Sequence, residues 1–110
     1  MEKEFIPYEQ ALILKELGFD EPCFGWYASD KSLIKDYVIK MHLKAPLYQQ
    51  AFRWFREKYN LTSWVYNSDV DKFFYTILQN GRIIKAHDSV AIYEEAELAC
   101  LIKLIEIVKQ

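Results

Sequence analysis

The chain has 110 residues, 52% of them hydrophobic and 16% aromatic, which is one domain's worth of sequence and enough apolar mass to bury a core, so intrinsic disorder is excluded. The formal net charge of −2 argues against a dedicated DNA- or RNA-binding domain, whose phosphate contacts call for a basic surface. The opening MEKEFIPYEQ lacks the apolar centre of a signal peptide, and no apolar run reaches the roughly 20 residues of a membrane span. Cys23 and Cys100 have no metal- or redox-type spacing and read as reduced core thiols, so the expected location is cytoplasmic, away from membranes.

The first predicted helix covers residues 7–17. Pro7 occupies its first position and Gly18 is the stop, with Ile6, Ile13, Leu14 and Leu17 on one face. Phe19–Cys23 is a turn, since Pro22 excludes helix. Phe24–Ala28 is a short strand, followed by a turn at Ser29–Ser32. Leu33–His42 shows no clean period, and its β-branched content favours a strand. Pro46 opens a second helix that runs to Tyr59. Leu47, Tyr48, Ala51, Phe52, Phe55 and Tyr59 form its aromatic face, and Gln49, Arg53, Arg56 and Glu57 its solvent face. Trp54 falls at the edge beside Gln50 and Lys58, and Asn60 supplies a left-handed end.

Thr62–Asn67 is a strand and residues 68–71 a loop. Phe73–Gln79 and Arg82–His87 flank Asn80-Gly81, the strongest short-range hairpin signal and one that demands a type I′ turn. A two-residue loop pairs Gln79 with Arg82, Ile77 with Ile84 and Tyr75 with Ala86 on the face expected to be core. Leu78 with Ile83, Thr76 with Lys85 and Phe74 with His87 then share the other face.

The last helix, Ile92–Lys109, is the most informative stretch. It has neither Gly nor Pro and is about five turns long. Tyr93, Ala96, Cys100, Leu104, Ile107 and Val108 form one apolar stripe, with Leu101 beside it. Leu98, Ile102 and Ile105 form a second. Two stripes need two neighbours: a sheet for the first, and another helix or a second copy of the chain, as a homodimer contact, for the second. Glu94, Glu95 and Glu97 suit the positive end of the helix dipole.

The element order is therefore α-β-β-α-β-β-β-α. The fold class it predicts is α+β, with an antiparallel sheet of four to five strands packed against two to three helices.

Three stretches, EQALILKELGFDEPCFGWY (9–27), PLYQQAFRWFREKY (46–59) and YEEAELACLIKLIEIVK (93–109), carry a resemblance. Together they resemble a family of small proteins, uncharacterised in activity, encoded by phages and prophages of gut bacteria related to Bacteroides. The resemblance implies a phage-associated, cytoplasmic origin and brings no catalytic or binding residues with it. In that family a Thr tends to precede the YEEAE stretch and can cap the helix. Here the place holds Ile92, which cannot, so Ser89 or Asp88 would cap instead and extend the helix by a turn.

Chemistry-bearing patterns are sparse. His87-Asp88 has the make-up of a general base with its orienting acid, but reads more simply as a strand end with a turn or cap Asp, and His42 as an exposed residue before a loop. Asp69 and Asp71 lack the Gly and distal Glu of a calcium loop, and three glycines leave no phosphate-cradling loop, so neither a metal nor a cofactor is predicted.

The candidate patch for binding another protein is Gln49, Gln50, Arg53, Trp54 and Arg56, because Arg and Trp dominate interface hot spots. The plainer alternative lays Trp54 over the core edge and leaves the arginines solvated. The leading functional reading is a non-catalytic module that binds a host or phage protein. A nucleic-acid accessory protein using an aromatic sheet face with Arg53 and Arg56, and a small-metabolite enzyme centred on His87 and Asp88, are the alternatives.

Overall fold

The structure is a computed structural model that describes residues 2–34, 43–69, 72–86 and 90–110. Two compact units divide the chain, Met1–Gln50 and Ala51–Gln110. The boundary falls within helix α2, Tyr48–Tyr59.

In the first unit a 3-10 turn, Glu2–Glu4, precedes helix α1, Tyr8–Glu16. Pro7 stands just ahead of the helix, where its fixed φ and missing N–H cost nothing. The end of α1 is set by Gly18 at φ 106°. The Gly18 N–H donates to Lys15 O at 3.0 Å and the Phe19 N–H to Leu14 O at 2.9 Å, the paired bonds of a Schellman cap.

Strands β1 (Gly25–Tyr27), β2 (Leu33–Ile34) and β3 (Leu43–Ala45) form an antiparallel sheet in the order β2-β1-β3, and α1 lies against β3. Ile6, Ala11, Leu14, Tyr27, Leu43 and Ala45 are buried here. The Tyr27 hydroxyl donates to Ile6 O at 2.5 Å, and burial raises its pKa. The predicted turn after β1 is present. Lys31 takes φ 71°, and the Ser32 N–H and hydroxyl both donate to one Asp30 oxygen, which holds that carboxyl below its ordinary pKa. Residues 33 and 34 of the ambiguous stretch are strand. The rest of it, His42 included, lies outside the described residues.

In the second unit the remainder of α2 ends on Asn60 at φ 59°, the left-handed residue expected there. Strands β4 (Leu61–Asp69), β5 (Lys72–Gln79) and β6 (Arg82–Ala86) form a second antiparallel sheet, ordered β4-β5-β6. The type I′ turn is present, with Asn80 at φ 54° and Gly81 at φ 82°. The Asn60 side-chain amide donates to Asn80 Oδ1, tying the helix end to the hairpin turn. Helix α3, Tyr93–Lys109, packs on β5 and β4.

Four expectations are corrected. First, the described strands form two three-stranded sheets instead of one of four to five strands, because β1 takes both its partners, β2 and β3, from its own unit. Second, among the described residues three strands rather than two precede α2. Leu43–Ala45, beyond the predicted strand Leu33–His42, pairs with β1 immediately ahead of Pro46.

Third, the β5–β6 register begins as predicted, Gln79 with Arg82 and Leu78 with Ile83, then slips. Ile77 pairs with Lys85 and Thr76 with Ala86, so Ile84 is the extra residue of a β-bulge. Ile84 is accordingly exposed rather than core, whereas Tyr75 and Ile77 are buried as expected. Fourth, α3 is not extended by a turn. It begins at Tyr93 after Ile92, which makes no side-chain cap. Val90 is already committed to extended pairing, exchanging backbone hydrogen bonds with Phe73 at 2.8 and 3.0 Å. Ser89 and Asp88 lie outside the described residues.

Candidate interaction surface

The pleat of the second sheet assigns its two faces. Ser63 and Val65 of β4 share one face with their partners Ile77 and Tyr75 of β5. Helix α3 covers this side: the Tyr93 ring meets Phe73 edge-on at 5.7 Å, and Ala96, Cys100, Leu101 and Leu104 are fully buried. The first stripe of α3 thus behaves as predicted. Its underside also holds polar groups. Glu97 is only 6% exposed; burial raises the pKa of the Tyr93 phenol, and the negative charge of Glu97 close by raises it further. Ser63 Oγ is enclosed with no partner in hydrogen-bond geometry among the described residues. Its hydroxyl acts on the acidity of the nearby Cys100, yet burial dominates and pushes that thiol up to about 12.

The other face carries Trp64 and Tyr66 from β4, Phe74, Thr76 and Leu78 from β5, and Ile83 from β6, placed side by side by the register. Trp64 is 42% exposed and Ile83 68%. Tyr66 and Phe74 are directly paired, their rings stacked at 5.4 Å and 18°. Large apolar side chains standing open on an ordered sheet mark a binding surface more often than a stretch of ordinary exterior.

The residues predicted for protein binding are dispersed by α2. Gln49, Arg53 and Arg56 are exposed. Gln50 is half-buried and occupied: its side chain accepts the Leu47 N–H at 3.0 Å, half of a capping box, and donates to Pro22 O at 2.7 Å. Trp54 is 6% exposed, edge-on to Phe55 and Tyr59, with the Lys58 ammonium 5.1 Å from its ring. Its indole belongs to the interior, in line with the plainer of the two readings.

The second α3 stripe divides. Ile105 is buried within the single chain, Leu98 is half-buried, and Ile102 is 40% exposed. His87, Asp88 and Asp71 lie outside the described residues. Among those described, no three His, Cys, Asp or Glu side chains gather as metal ligands, and no helix is long and apolar enough to cross a membrane.

Two features were missed in the sequence although signals were present. Trp64 and Tyr66 alternate within the predicted strand, and their shared face follows once the β5 pairing is extended across to β4. Glu97 was read with Glu94 and Glu95 as a dipole acid, although it lies one turn after Tyr93 on the buried stripe. No family model, curated protein or solved structure matches the chain.

Proposed function

We propose that the chain is an interaction protein, without chemistry of its own, that binds a host or phage protein through the outer face of β4, β5 and β6. The carrying observation is the row of Trp64, Tyr66 and Ile83, apolar and exposed on paired strands, with the half-buried Phe74 beside Tyr66 and Thr76 buried between them. Aromatic side chains bury much area at little entropic cost, so such a row suits the centre of a protein–protein contact. The phage association rests on the resemblance of the three sequence stretches. Capture from a lysate of a Bacteroides-type bacterium, followed by identification of the bound protein, tests the reading. The double variant Trp64→Ser/Tyr66→Ser should lose that protein while keeping its helix content. A partner retained by the variant, or nothing captured above background by the native chain, refutes it.

The stacked Tyr66–Phe74 pair also favours a second reading, stacking of single-stranded bases on the same face. The net charge of −2 opposes it. Absence of a salt-sensitive shift with DNA or RNA at micromolar protein removes it.

A further inference from the structure

The first unit contains a cleft of about 240 Å³ lined by Ala11 and Lys15 of α1, Phe19 and Asp20 of the turn that follows, Trp26 of β1, and Leu43 and Lys44 of β3. Ala11, Phe19 and Leu43 are buried and supply an apolar floor, and the half-buried Trp26 adds an indole. Trp26 and Lys44 are direct cross-strand partners, so their side chains stand together on one face of the sheet.

Charge is confined to the rim. Lys15 is exposed on α1, and Lys44 Nζ lies 3.0 Å from Asp20 Oδ1 and 3.4 Å from Asp20 O. Among the lining residues, two ammonium groups face one carboxylate. The Asp20 side chain is 91% exposed, and ion pairs so open to water contribute little, so Lys44 can be redirected to another anion at small cost. The volume lies below the roughly 300–1,000 Å³ of drug-sized sites, which limits the occupant to one or two rings.

We propose that this cleft binds a small planar aromatic monoanion, its ring against Trp26 and Phe19 and its acid group between Lys15 and Lys44. Asp20 is the competitor that the ligand displaces from Lys44. The cleft is built within the first unit, and the proposal does not depend on the sheet face proposed above for a protein partner.

Titration of the isotope-labelled 110-residue chain with indole-3-carboxylate tests the proposal. Saturable shifts are expected at the Trp26 indole N–H and the Lys15 and Lys44 amides, with a Kd of about 1 mM, the ordinary strength for so small a ligand. The neutral indole-3-carboxamide should bind several-fold more weakly. Lys15→Gln and Lys44→Gln should each weaken binding by up to about fivefold, the upper range for a solvent-exposed charge. Asp20→Asn should tighten it, a direction that no general loss of structure reproduces. All three positions are on the rim, and an otherwise unchanged amide spectrum verifies that each variant is folded. Absence of saturation, equal binding of the carboxamide, or weaker binding by Asp20→Asn overturns the proposal.

Discussion

Two glycines, replaced one at a time by alanine, should destabilise the chain for opposite reasons. Gly81 sits at φ +82° in the hairpin turn, and a Cβ added there meets nothing within 4 Å. The penalty for Gly81→Ala is therefore conformational, about 1–2 kcal/mol for an L-residue in the left-handed region. The stiffer unfolded chain offsets about 0.4–1 kcal/mol of it, leaving a net loss near 1 kcal/mol. Gly25 has no such backbone demand. A Cβ there would lie 2.9 Å from Phe5 Cε1, 3.2 Å from Phe5 Cζ and 3.4 Å from Ile34 O. Phe5 is buried, so its ring has little freedom to withdraw, and Gly25→Ala should cost about 1–3 kcal/mol of overpacking.

Urea unfolding followed by circular dichroism measures both losses, and a double-mutant cycle separates their causes. Phe5→Leu removes the ring edge that the new methyl would strike. It should recover at least about 0.5 kcal/mol of the Gly25→Ala loss beyond additivity, and none of the Gly81→Ala loss. Additive behaviour of Phe5→Leu with Gly25→Ala, or a Gly81→Ala variant as stable as the native chain, would refute the reasoning.

Other outcomes follow from burial. Trp54→Ala should destabilise the fold by about 3–5 kcal/mol, as an interior aromatic does, rather than leave stability intact and remove a binding contact; thermal melting distinguishes these. Leu104→Ala, at a fully buried position of α3, should cost about 2–5 kcal/mol by the same assay. Ser63→Ala removes an enclosed hydroxyl that has no partner in hydrogen-bond geometry among the described residues, and should be neutral or stabilising by up to about 1 kcal/mol; clear destabilisation would show that its contact with the Cys100 thiol satisfies it.

Burial lifts the two thiols from an ordinary 9.0 to about 11 for Cys23 and about 12 for Cys100, so both should react slowly with alkylating reagents at neutral pH. Because the folded pKa of Cys100 exceeds the unfolded value, its contribution is complete below about pH 9 and is lost as pH rises through about 12. The slope in that window is about 1.4 kcal/mol per pH unit. The raised Tyr27, Tyr75 and Tyr93 phenols act in the same direction, so the flatter alkaline profile of a Cys100→Ala variant isolates the thiol.

The parts of the fold that were legible in the sequence are those fixed by short-range chemistry. Gly18 and Asn60 end helices because each adopts positive φ, and Asn80-Gly81 makes its turn for the same reason. The stripe of α3 is read from spacing alone. What stayed hidden depends on contacts distant in sequence. Nothing local to Leu43–Ala45 announces that it pairs with Gly25–Tyr27. The bulge at Ile84 is a slip of register that an alternating pattern does not encode. Trp54 lies at the margin of a helical projection, but an indole is large enough to turn inward from there. For the candidate surface, the helix 46–59 stands out in the sequence by its Arg and Trp, whereas the exposure of Trp64 and Tyr66 on Leu61–Asp69 depends on pairing between separate strands.

The bulge at Ile84 also bears on what the border of the sheet offers to another strand. β6 is the outer strand of its sheet, and it carries Ile83 and Ile84 in the open. A straight, apolar border of that sort is a template on which further strands can ladder, most dangerously during synthesis, when many copies are incomplete. One surplus residue breaks the even spacing of donors and acceptors and sharpens the local twist, so an incoming strand finds no continuous row to match. The irregularity that defeats a simple pairing rule is thus one that an added strand on the β6 border would have to match in its own register.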